Sequence, residues 1–396
     1  MGKTKYRVIT CQGTIQLVSA ICAVLLRDKR RTTNFKNILV VYDLYCPQCQ
    51  IEFFFKTIVE MAQTIMDWER VIYFAPEDLN VALQFQDDEK SLKSYILSKI
   101  TAPSVDEIYL GTDVHPSNLA MIKAFPEAYR VCFGDGLGIY IPSNYSYLTR
   151  NEPSLASAQQ KSFWNWLKRK FSKKYSRACK TFDEGYFVFP DIYKKRPPFP
   201  FKLVPKELVR DIFSKMEPIL DRNEVDILLD KLRGKNVTVL MTSNFSEAQR
   251  MSLDSEIEAY KRFISDQQNS SDNVLIIKPH PRDDLSKINK LIEALDDLFD
   301  YVLCMKDDIL PYIPFELFLQ KLQATSPPPQ NICVCTFSTS FISLKLLFNV
   351  ETKIGFGSTL VSEFFFAHSA EDRIKHETDL SDVFSTLTSS LMENQR

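Results

Sequence analysis

The stretch NVLIIKPHPRDDLSK, Asn273 to Lys287, predicts a buried strand that stops abruptly and is followed by a polar helix. Its continuous apolar run, residues 274–277, is typical of a central strand in a parallel sheet, covered by helices on both faces. Pro279 ends the strand because it has no backbone donor, and Pro281 restricts the backbone beyond His280. Ligands of open α/β sheets bind beyond the carboxyl ends of such strands. His280 is therefore the first candidate site residue, although a ring that only caps a turn explains the motif equally well.

Strand and helix patterns alternate on both sides of this stretch. Before it, we predict strands at 7–11, 37–43, 70–74, 107–110 and 129–133 and helices at 15–26, 51–66, 89–100 and 117–124. After residue 200, we predict strands at 237–241, 274–277, 301–304, 332–335 and 353–355 and helices at 206–215, 223–232, 255–264, 285–295 and 341–348. Such alternation favours doubly wound parallel sheets. The predicted fold class is α/β, with two Rossmann-like parallel-sheet domains that face a central cleft.

The length of 396 residues also favours two domains over one core. We expect an N-terminal Rossmann-like domain at 1–195 with a basic aromatic insertion at 161–180, and a linker with helices at 196–232. A C-terminal Rossmann-like domain at 233–370 and a helical tail at 371–396 complete the expected organisation. The proline-rich sequence RPPFP at 196–200 marks the linker.

The composition is that of an ordinary globular protein. A net charge of -1 with 25% charged residues gives no indication of nucleic-acid binding. The apolar stretch 15–26 contains Gln16 and Ser19 and is too short to span a bilayer. A strand-like segment precedes it in place of a simple cationic region, so we expect no signal peptide and a cytoplasmic location.

The nine cysteines are scattered and odd in number, which favours reduced thiols over a disulfide framework. Cys46 and Cys49 form a single CxxC motif without a second pair at zinc spacing. A turn at the start of a helix explains this motif better than a redox or metal role.

The segment 161–180, KSFWNWLKRKFSKKYSRACK, combines eight Lys or Arg residues with interleaved aromatic residues and no acid. Three interpretations stay open: an amphipathic helix on an anionic membrane surface, a groove for an anionic acceptor, and a solvated face that covers a hydrophobic seam.

A second motif follows in the same half of the chain. A buried strand ends at Cys335, and Ser338, Thr339 and Ser340 open an apolar helix. Hydroxyl residues at a helix start satisfy its unpaired amides, and the same geometry suits a phosphate. Ordinary capping is the alternative, but the shared domain predicts that this motif and His280 point into one crevice.

Other charged residues lie near these two motifs. Glu316 opens a predicted helix after two prolines, where it accepts hydrogen bonds from ribose hydroxyls or simply complements the helix dipole. Asp283 and Asp284 fall in the first turn after His280, where the dipole suffices to explain them. Lys278, at the strand end, either adds positive charge to the site or is merely solvated.

The N-terminal half offers an acid at a strand end. A predicted core strand runs into Gly134, Asp135 and Gly136, and the glycines permit close approach of a substrate. Either acid at such a position could serve as a general base. Asp183, in an acidic turn before a short strand, is the alternative candidate to Asp135. We prefer Asp135 because it follows the more convincing core strand.

Together these motifs resemble those of bacterial sialyltransferases of the GT-B fold, most closely the capsule polysialyltransferase-like branch, the alpha-2,8-polysialyltransferase family. The family's acidic D/E-D/E-G, HP and Ser-Ser/Thr motifs match Gly134-Asp135-Gly136, His280-Pro281 and Ser338-Thr339. Glu316 lies where related enzymes hold the donor ribose. The resemblance covers most of the chain in order and spacing, through short segments. Gly134 departs from the acidic motif, whereas Asp183-Glu184-Gly185 satisfies it literally, so the base stays open between Asp135 and Asp183.

The resemblance implies an inverting glycosyltransferase that moves sialic acid, or a related nonulosonic acid, from its CMP conjugate to a glycan hydroxyl in capsule or lipopolysaccharide synthesis. Asp135, or Asp183, would be the general base, and His280 would contact the leaving phosphate or act as a general acid. Gly134 and Gly136 would lie on the acceptor side. The implied donor-binding residues are Lys278, Pro281, Glu316, Ser338, Thr339 and Ser340.

The resemblance also sets the expected partners. The donor would be CMP-sialic acid or a similar CMP-sugar, the acceptor a glycan, and neither a metal nor another cofactor would be required. If the segment 161–180 is the amphipathic helix of the first interpretation, it would contact the inner face of the cell membrane. Two alternatives remain: a transferase for another nucleotide donor, CMP-Kdo or a CDP-polyol, and a catalytically inactive GT-B protein that binds glycans or acts as a scaffold.

Overall fold

The structure, a computed structural model, describes residues 4–31, 33–44, 46–85, 87–134, 181–190, 197, 199–265, 273–306 and 309–393. The chain divides into two compact units. The N-terminal unit comprises Met1–Leu44 and Ala62–Ile212, and the C-terminal unit comprises Tyr45–Met61 and Phe213–Arg396. Asp135, Gly136 and the basic aromatic segment 161–180 lie outside the described residues.

The N-terminal unit contains a parallel sheet of seven described strands in the order β3-β2-β1-β4-β5-β6-β7. The strands are β1 Lys5–Cys11, β2 Phe35–Tyr42, β3 Arg70–Phe74, β4 Glu107–Leu110, β5 Tyr129–Cys132, β6 Glu184–Phe187 and β7 Phe201–Leu203. The helices of this half of the chain are α1 Thr14–Asp28, α2 Ile51–Gln63, α3 Pro76–Gln84, α4 Glu89–Ile100 and α5 Pro116–Ala124. Most of α2 belongs to the C-terminal unit.

Buried ion pairs close the amino-terminal edge of this sheet. Arg7, which is 0% exposed, pairs with Asp28 at 2.6 Å and with Glu107 at 3.3 Å. Arg27 bridges Glu107 and Glu184, which begin β4 and β6. A buried charge is tolerated only when it is paired, so we assign these ion pairs a structural role at this edge.

The C-terminal unit contains a second parallel sheet, with five described strands in the order β10-β9-β8-β11-β12. The strands are β8 Asn236–Met241, β9 Asn273–Lys278, β10 Tyr301–Cys304, β11 Asn331–Thr336 and β12 Glu351–Ile354. The helices are α6 Lys206–Met216, which begins in the N-terminal unit, α7 Asn223–Leu232, α8 Leu253–Ser265, α9 Leu285–Leu295, α10 Phe315–Gln323, α11 Phe341–Phe348, α12 Ser358–Phe364 and α13 Ala367–Glu393. The strand order reverses direction between β8 and β11, which is the topological switch point where open α/β sheets bind ligands.

Aromatic side chains pack one face of the C-terminal sheet. Phe337 and Phe356 lie with ring centroids 4.3 Å apart, and Tyr260 contacts both rings. The guanidinium of Arg373, in α13, lies 4.9 Å from the centroid of the Phe245 ring and donates to the main-chain oxygen of Phe337 at 3.2 Å. The last helix therefore supports the loop that follows β11.

The fold class predicted from the sequence is confirmed as α/β with two Rossmann-like parallel-sheet domains. The predicted strands at 70–74, 107–110 and 301–304 are observed without a shift. The sequence analysis missed α3, α12 and β7. These elements are short, and α3 buries only Leu79 and Ala82, so their apolar periodicity is weak.

Gly355 provides a test of the contact between α13 and the loop after β12. Its φ is +72°, and an added Cβ would lie 2.6 Å from Cδ of Glu377. Glu377 cannot easily yield, because it accepts hydrogen bonds from the main-chain N–H groups of Phe356 and Gly357 and from Arg373. We expect Gly355→Ala to lower the free energy of unfolding by more than the roughly 1–2 kcal/mol that left-handed backbone costs a non-glycine residue.

Gly234 is the matched control, since its φ is +66° and an added Cβ would lie 3.6 Å from Pro327 Cγ, an ordinary contact distance. Gly234→Ala should show the backbone cost alone in denaturant unfolding. Equal losses for the two variants would contradict the steric argument.

Candidate functional site

The loop after β9 carries His280 and fixes both its ring and its backbone. The ring Nδ1 accepts a hydrogen bond from the main-chain N–H of Arg282 at 3.1 Å. The hydrogen of the neutral ring is therefore assigned to Nε2, which makes that atom a donor. The main-chain N–H of His280 donates to Thr242 Oγ1 and to Asp283 Oδ2, each at 2.9 Å.

His280 is neutral in the physiological pH range. Burial lowers the pKa of its ring to about 3, and the positive charges of Arg282, Lys287 and Lys278 act in the same direction. The ring can therefore donate a hydrogen bond through Nε2 but carries no additional proton to transfer near pH 7.

A buried carboxylate holds the His280 loop against the neighbouring strand. Asp283 is 6% exposed, and its Oδ2 accepts from the hydroxyl of Thr242 as well as from the His280 N–H. Its Oδ1 accepts from Lys287 Nζ at 2.9 Å. Burial raises the pKa of Asp283 to about 6, although Lys287 and the hydrogen bonds oppose that rise. The prediction that Asp283 merely complements the helix dipole is wrong, because its carboxylate is buried and bonded to the His280 loop. Asp284 is the residue at the helix start: it caps α9 by accepting from the main-chain N–H of Ser286.

Lys287 extends this cluster into the core. It is 1% exposed, and its Nζ lies 2.7 Å from Glu256, 2.9 Å from Asp283 and 3.1 Å from Glu247. It also donates to the main-chain oxygen of Ser243 at 2.7 Å. The sequence analysis overlooked Lys287 and Glu256, although the spacing of Asp283 and Lys287, four residues apart, could have suggested a pair.

Lys278 is buried at the end of β9, with 5% of its surface exposed. Its Nζ donates to the main-chain oxygen of Pro311 at 2.5 Å. Burial lowers the pKa of this amine to about 8, while the nearby carboxylates of Glu316 and Asp283 raise it. The interpretation as a merely solvated lysine is wrong, and the group keeps most of its positive charge near pH 7.

Three hydroxyl groups cluster where β11 leads into α11. Thr336 Oγ1 lies 2.8 Å from Ser340 Oγ, and Ser338 Oγ lies 3.0 Å from the same atom. Ser340 precedes α11, and its side chain forms no capping hydrogen bond. The predicted helix start is confirmed. The alternative of ordinary capping does not apply to the Ser340 side chain, because its hydroxyl bonds to other hydroxyls. Thr339 is half-buried beside this cluster.

Glu316 is 2% exposed at the start of α10. Its Oε1 accepts from the hydroxyl of Ser343, which also donates to the main-chain oxygen of Ser340 at 2.9 Å. Burial raises the pKa of Glu316, against the effects of Ser343 and Lys278. The carboxylate therefore ties α10 to the first turn of α11.

Strand register brings the His280 loop and the hydroxyl cluster to the same edge of the sheet. Met241, the last residue of β8, pairs with Lys278 on one side and with Thr336 on the other. The two motifs thus lie on either side of the end of β8. The ends of β9 and β11 are two strand spacings apart, which is about 10 Å. Both motifs therefore lie at the carboxyl edge of the sheet, next to the switch point between β8 and β11.

On the N-terminal side, Gly134 follows β5 at the carboxyl edge of the sheet, with φ +86°. Asp135 and Gly136 come next in the chain and lie outside the described residues. Asp183 immediately precedes β6, and its carboxylate accepts from the main-chain N–H of Arg130 at 2.8 Å. Asp183 therefore lies at the amino-terminal edge, opposite to the edge that Gly134 follows.

Cys46 and Cys49 are free thiols around the short turn Gln48–Gln50, which leads into α2. This agrees with the predicted turn at a helix start.

In the described part of the chain, no group of three or more His, Cys, Asp or Glu residues is arranged to hold a metal ion. No helix among the described residues is both long and apolar enough to cross a membrane.

A model of the alpha-2,8-polysialyltransferase (POLYST) family matches residues 21–355. The chain belongs to this family. The matched residues include the described strands from β2 to β12 and the loops of His280 and Ser338, but not β1. The match confirms the family resemblance found in the motifs. This member of the polysialyltransferase family is a glycosyltransferase, which acts on a nucleotide-sugar donor and a glycan acceptor. No match was found among curated proteins.

Solved structures give remote similarities. UDP-GlcNAc 2-epimerase from Methanocaldococcus jannaschii is 10% identical, with 89% of this chain and 83% of that chain covered and a TM-score of 0.46. TcCGT1 in complex with UDP is 12% identical, with 96% and 84% covered and a TM-score of 0.47. The E. coli heptosyltransferase WaaC with ADP-2-deoxy-2-fluoro heptose is 12% identical, with 88% of each chain covered and a TM-score of 0.37.

Thr242 provides a test of how the His280 loop is held in this polysialyltransferase-family enzyme. Thr242→Val keeps the side-chain shape but removes the hydroxyl that bonds to Asp283 and to the His280 N–H. We expect the free energy of unfolding to fall by roughly 1–3 kcal/mol, because buried polar groups lose a partner.

Thr352→Val is the matched control in the same sheet. Thr352 is 7% exposed, and its hydroxyl has no hydrogen-bond partner among the described residues. This variant should be neutral or slightly stabilising in denaturant unfolding. A Thr242→Val protein as stable as the wild type would contradict the assignment of a structural hydrogen bond.

Proposed function

We propose that this glycosyltransferase moves a sialic acid, or a related nonulosonic acid, from its CMP conjugate to a glycan hydroxyl with inversion. The observation that carries the proposal is the neutral His280 ring, which is fixed as a donor at the switch point across β8 from the Ser338 cluster. Family membership supports the CMP-sugar as donor.

His280 is proposed to donate a hydrogen bond to the phosphate of the departing CMP. As the bond between the anomeric carbon and the phosphate oxygen breaks, negative charge grows on CMP, and a donor already in place stabilises it. The low pKa of His280 favours a hydrogen bond from Nε2–H over proton transfer. Of the two roles that the sequence left open, the phosphate contact is therefore preferred to the general acid.

The hydroxyl cluster and the start of α11 form the other side of the proposed phosphate site. Ser338 is exposed, and Thr339 and Ser340 are half-buried. The side chain of Ser340 does not cap α11, so the amide groups of the first turn suit an anion. Lys278 adds positive charge from within the sheet, and Pro281 restricts the backbone after His280.

Glu316 is proposed to act on the donor site through Ser343. Because the carboxylate is 2% exposed and accepts the Ser343 hydroxyl, its first effect is to fix the beginning of α11. A bound ribose would then meet a helix start whose position is already set.

Asp135 is proposed as the general base. It follows Gly134 at the carboxyl edge of the N-terminal sheet, whereas Asp183 lies at the amino-terminal edge and is engaged by Arg130. Ligands bind at the carboxyl edge of such sheets, and this favours Asp135 over Asp183. Gly134 and Gly136 would permit close approach of the acceptor.

The segment 161–180 is proposed to hold the enzyme at the inner face of the cell membrane. Its eight basic residues suit an anionic lipid surface, and its aromatic side chains suit the interface. A cytoplasmic enzyme placed there could extend a lipid-linked glycan.

The direct test is incubation with CMP-Neu5Ac and sialyllactose, with CMP-Kdo and a CDP-polyol in parallel. We expect acceptor-dependent release of CMP from CMP-Neu5Ac, and a product whose NMR spectrum shows the opposite anomeric configuration to the donor. Turnover of only CMP-Kdo or the CDP-polyol would reassign the donor, and retained configuration would refute inversion.

His280 variants separate a hydrogen-bond donor from a general acid. Removing one such donor typically lowers kcat by about 100-fold to 1,000-fold, so we expect a loss of this order for His280→Ala. His280→Gln keeps an N–H donor but cannot serve as an acid, and it should retain clearly more activity than His280→Ala. Equal activity of the two variants would favour proton transfer.

The pH profile of kcat/KM gives an independent measurement, because it reports the free enzyme. With a His280 pKa of about 3, the active neutral form prevails above that value, and activity lost to His280 protonation should appear only as the pH falls towards 3. A rise in kcat/KM on acidification through pH 6.5 that His280→Gln abolishes would contradict this assignment.

The two candidate bases are distinguished by removing one charge at a time. We expect Asp135→Asn to lower kcat by roughly 100-fold or more, within the usual contribution of general base catalysis. Asp183→Asn can still accept the hydrogen bond of the Arg130 N–H and should retain near wild-type kcat. The opposite result in the same CMP-release assay would move the base to Asp183.

A further inference from the structure

The loop that follows β8 lies between the two motifs of the proposed phosphate site. In the sheet, β8 has β9 on one side, which leads into the His280 loop, and β11 on the other, which leads into the Ser338 cluster. Ser243 and Asn244 follow the end of β8. Because ligands bind beyond strand ends at a switch point, these two residues are placed at the centre of the site.

Buried side chains fix the backbone of this loop. The main-chain N–H of Ser243 donates to the hydroxyl of Tyr260 at 2.8 Å, and its main-chain oxygen accepts from Lys287 Nζ at 2.7 Å. The main-chain N–H of Ser246 donates to Glu256 Oε2 at 2.8 Å. The side chains of Tyr260, Lys287 and Glu256 are all buried. The conformation of the loop is therefore set by the core before a ligand binds.

Asn244 differs from its neighbours because its side chain does not hold the structure together. Thr242 bonds to Asp283, and the ring of Phe245 packs among the aromatic rings of the core. Neither the amide of Asn244 nor the hydroxyl of Ser243 bonds to a residue that the structure describes, and both residues are half-buried. An amide with two hydrogens on a fixed backbone suits a ligand that accepts hydrogen bonds.

The proposed donor has a second anionic group beside its phosphate. In a CMP-nonulosonic acid, the carbon that bonds to the phosphate oxygen also bears a carboxylate, so the two groups are close neighbours. His280, the Ser338 cluster and the start of α11 are assigned to the phosphate. Taking a carboxylate out of water without hydrogen-bond donors is costly, so a site for this sugar needs further N–H or O–H groups next to the phosphate.

We propose that Asn244, together with Ser243, donates hydrogen bonds to the carboxylate of the donor sugar and thereby selects sugars that carry one. The assignment rests on the proposed function, which places the phosphate at this switch point. Hydrogen bonds to a charged acceptor are stronger than those between neutral groups, so two such donors discriminate well against a sugar without the carboxylate. Tyr260 is a positioning residue, since it holds the backbone of Ser243.

Binding of two ligands tests the assignment, because CMP lacks the sugar carboxylate. The dissociation constants of CMP and of a fluorinated CMP-Neu5Ac analogue that resists cleavage are measured by calorimetry without an acceptor. We expect Asn244→Ala to weaken binding of the analogue at least about tenfold, as for the loss of a charged hydrogen bond, and to leave CMP binding unchanged. An equal loss for both ligands, or no loss for either, would overturn the proposal.

Asn236→Ala is the matched control. Asn236 begins β8, and its Oδ1 accepts from Asn331 Nδ2 at 2.8 Å at the amino-terminal edge of the sheet. This variant should bind both ligands as the wild type does. Asn244→Ala should unfold at the wild-type denaturant concentration, since its side chain bonds to no described residue. Equal weakening of the analogue by the two variants would indicate a general disturbance of the sheet and refute the contact.

Tyr260→Phe tests the positioning role, because it keeps the ring and removes only the hydroxyl that bonds to the backbone of Ser243. We expect weaker binding of the analogue with CMP binding unchanged. In the double variant with Asn244→Ala, the loss should be smaller than the product of the two separate losses, because both changes act on one interaction. Losses that multiply would exclude this role for Tyr260.

Two other donors separate this proposal from the proposed function. CMP-Kdo carries a carboxylate on the corresponding carbon, whereas a CDP-polyol has none. If the wild type transfers only from CMP-Kdo, the proposed donor fails, but weaker CMP-Kdo binding by Asn244→Ala than by Asn236→Ala still supports the carboxylate contact. Transfer from the CDP-polyol alone overturns both proposals. Transfer from CMP-Neu5Ac with unchanged analogue binding by Asn244→Ala overturns only this one.

Discussion

The position of the His280 loop, which we propose to contact the donor, depends on one buried carboxylate. Asp283 accepts hydrogen bonds from Thr242, at the end of the central strand β8, and from the backbone of His280, and it pairs with Lys287 below. A carboxylate of this kind is costly to bury unless donors surround it. Once it is surrounded, it links strand, loop and helix, so that the His280 ring has a defined place before any substrate arrives.

The two edges of the N-terminal sheet differ in how their polar groups are placed. At the amino-terminal edge of the N-terminal sheet, the charges of Arg7, Arg27 and Glu107 satisfy one another and are buried. At the carboxyl edges, polar groups such as Ser338 and Asp43 keep part of their surface exposed to solvent. Strand direction alone sets this difference, because loops at the carboxyl ends lead into helix starts, where unpaired N–H groups favour anions and hydroxyl oxygens.

Strand direction also explains how much the sequence could predict. Continuous apolar strands indicated both sheets, and the placement of His280 and Ser338 after two of those strands indicated a shared edge. Burial of charged side chains was not predictable in the same way. Asp283, Lys287 and Lys278 lie in polar stretches, and only the three-dimensional contacts show that the sheet and α9 enclose them. Asn244 follows a strand as His280 does, but a single asparagine belongs to no recognisable short motif.

The contact between α13 and the sheet bears on when the donor site can form during protein synthesis. Arg373 donates to the main-chain oxygen of Phe337, immediately before Ser338, and Glu377 holds the loop after β12. The ribosome makes these two residues after every strand of the sheet. The strands can pair as they emerge, but the loop of Ser338, which we propose to bind phosphate, lacks its support until α13 has left the ribosome. Nucleotide binding by the nascent chain should therefore follow the synthesis of α13.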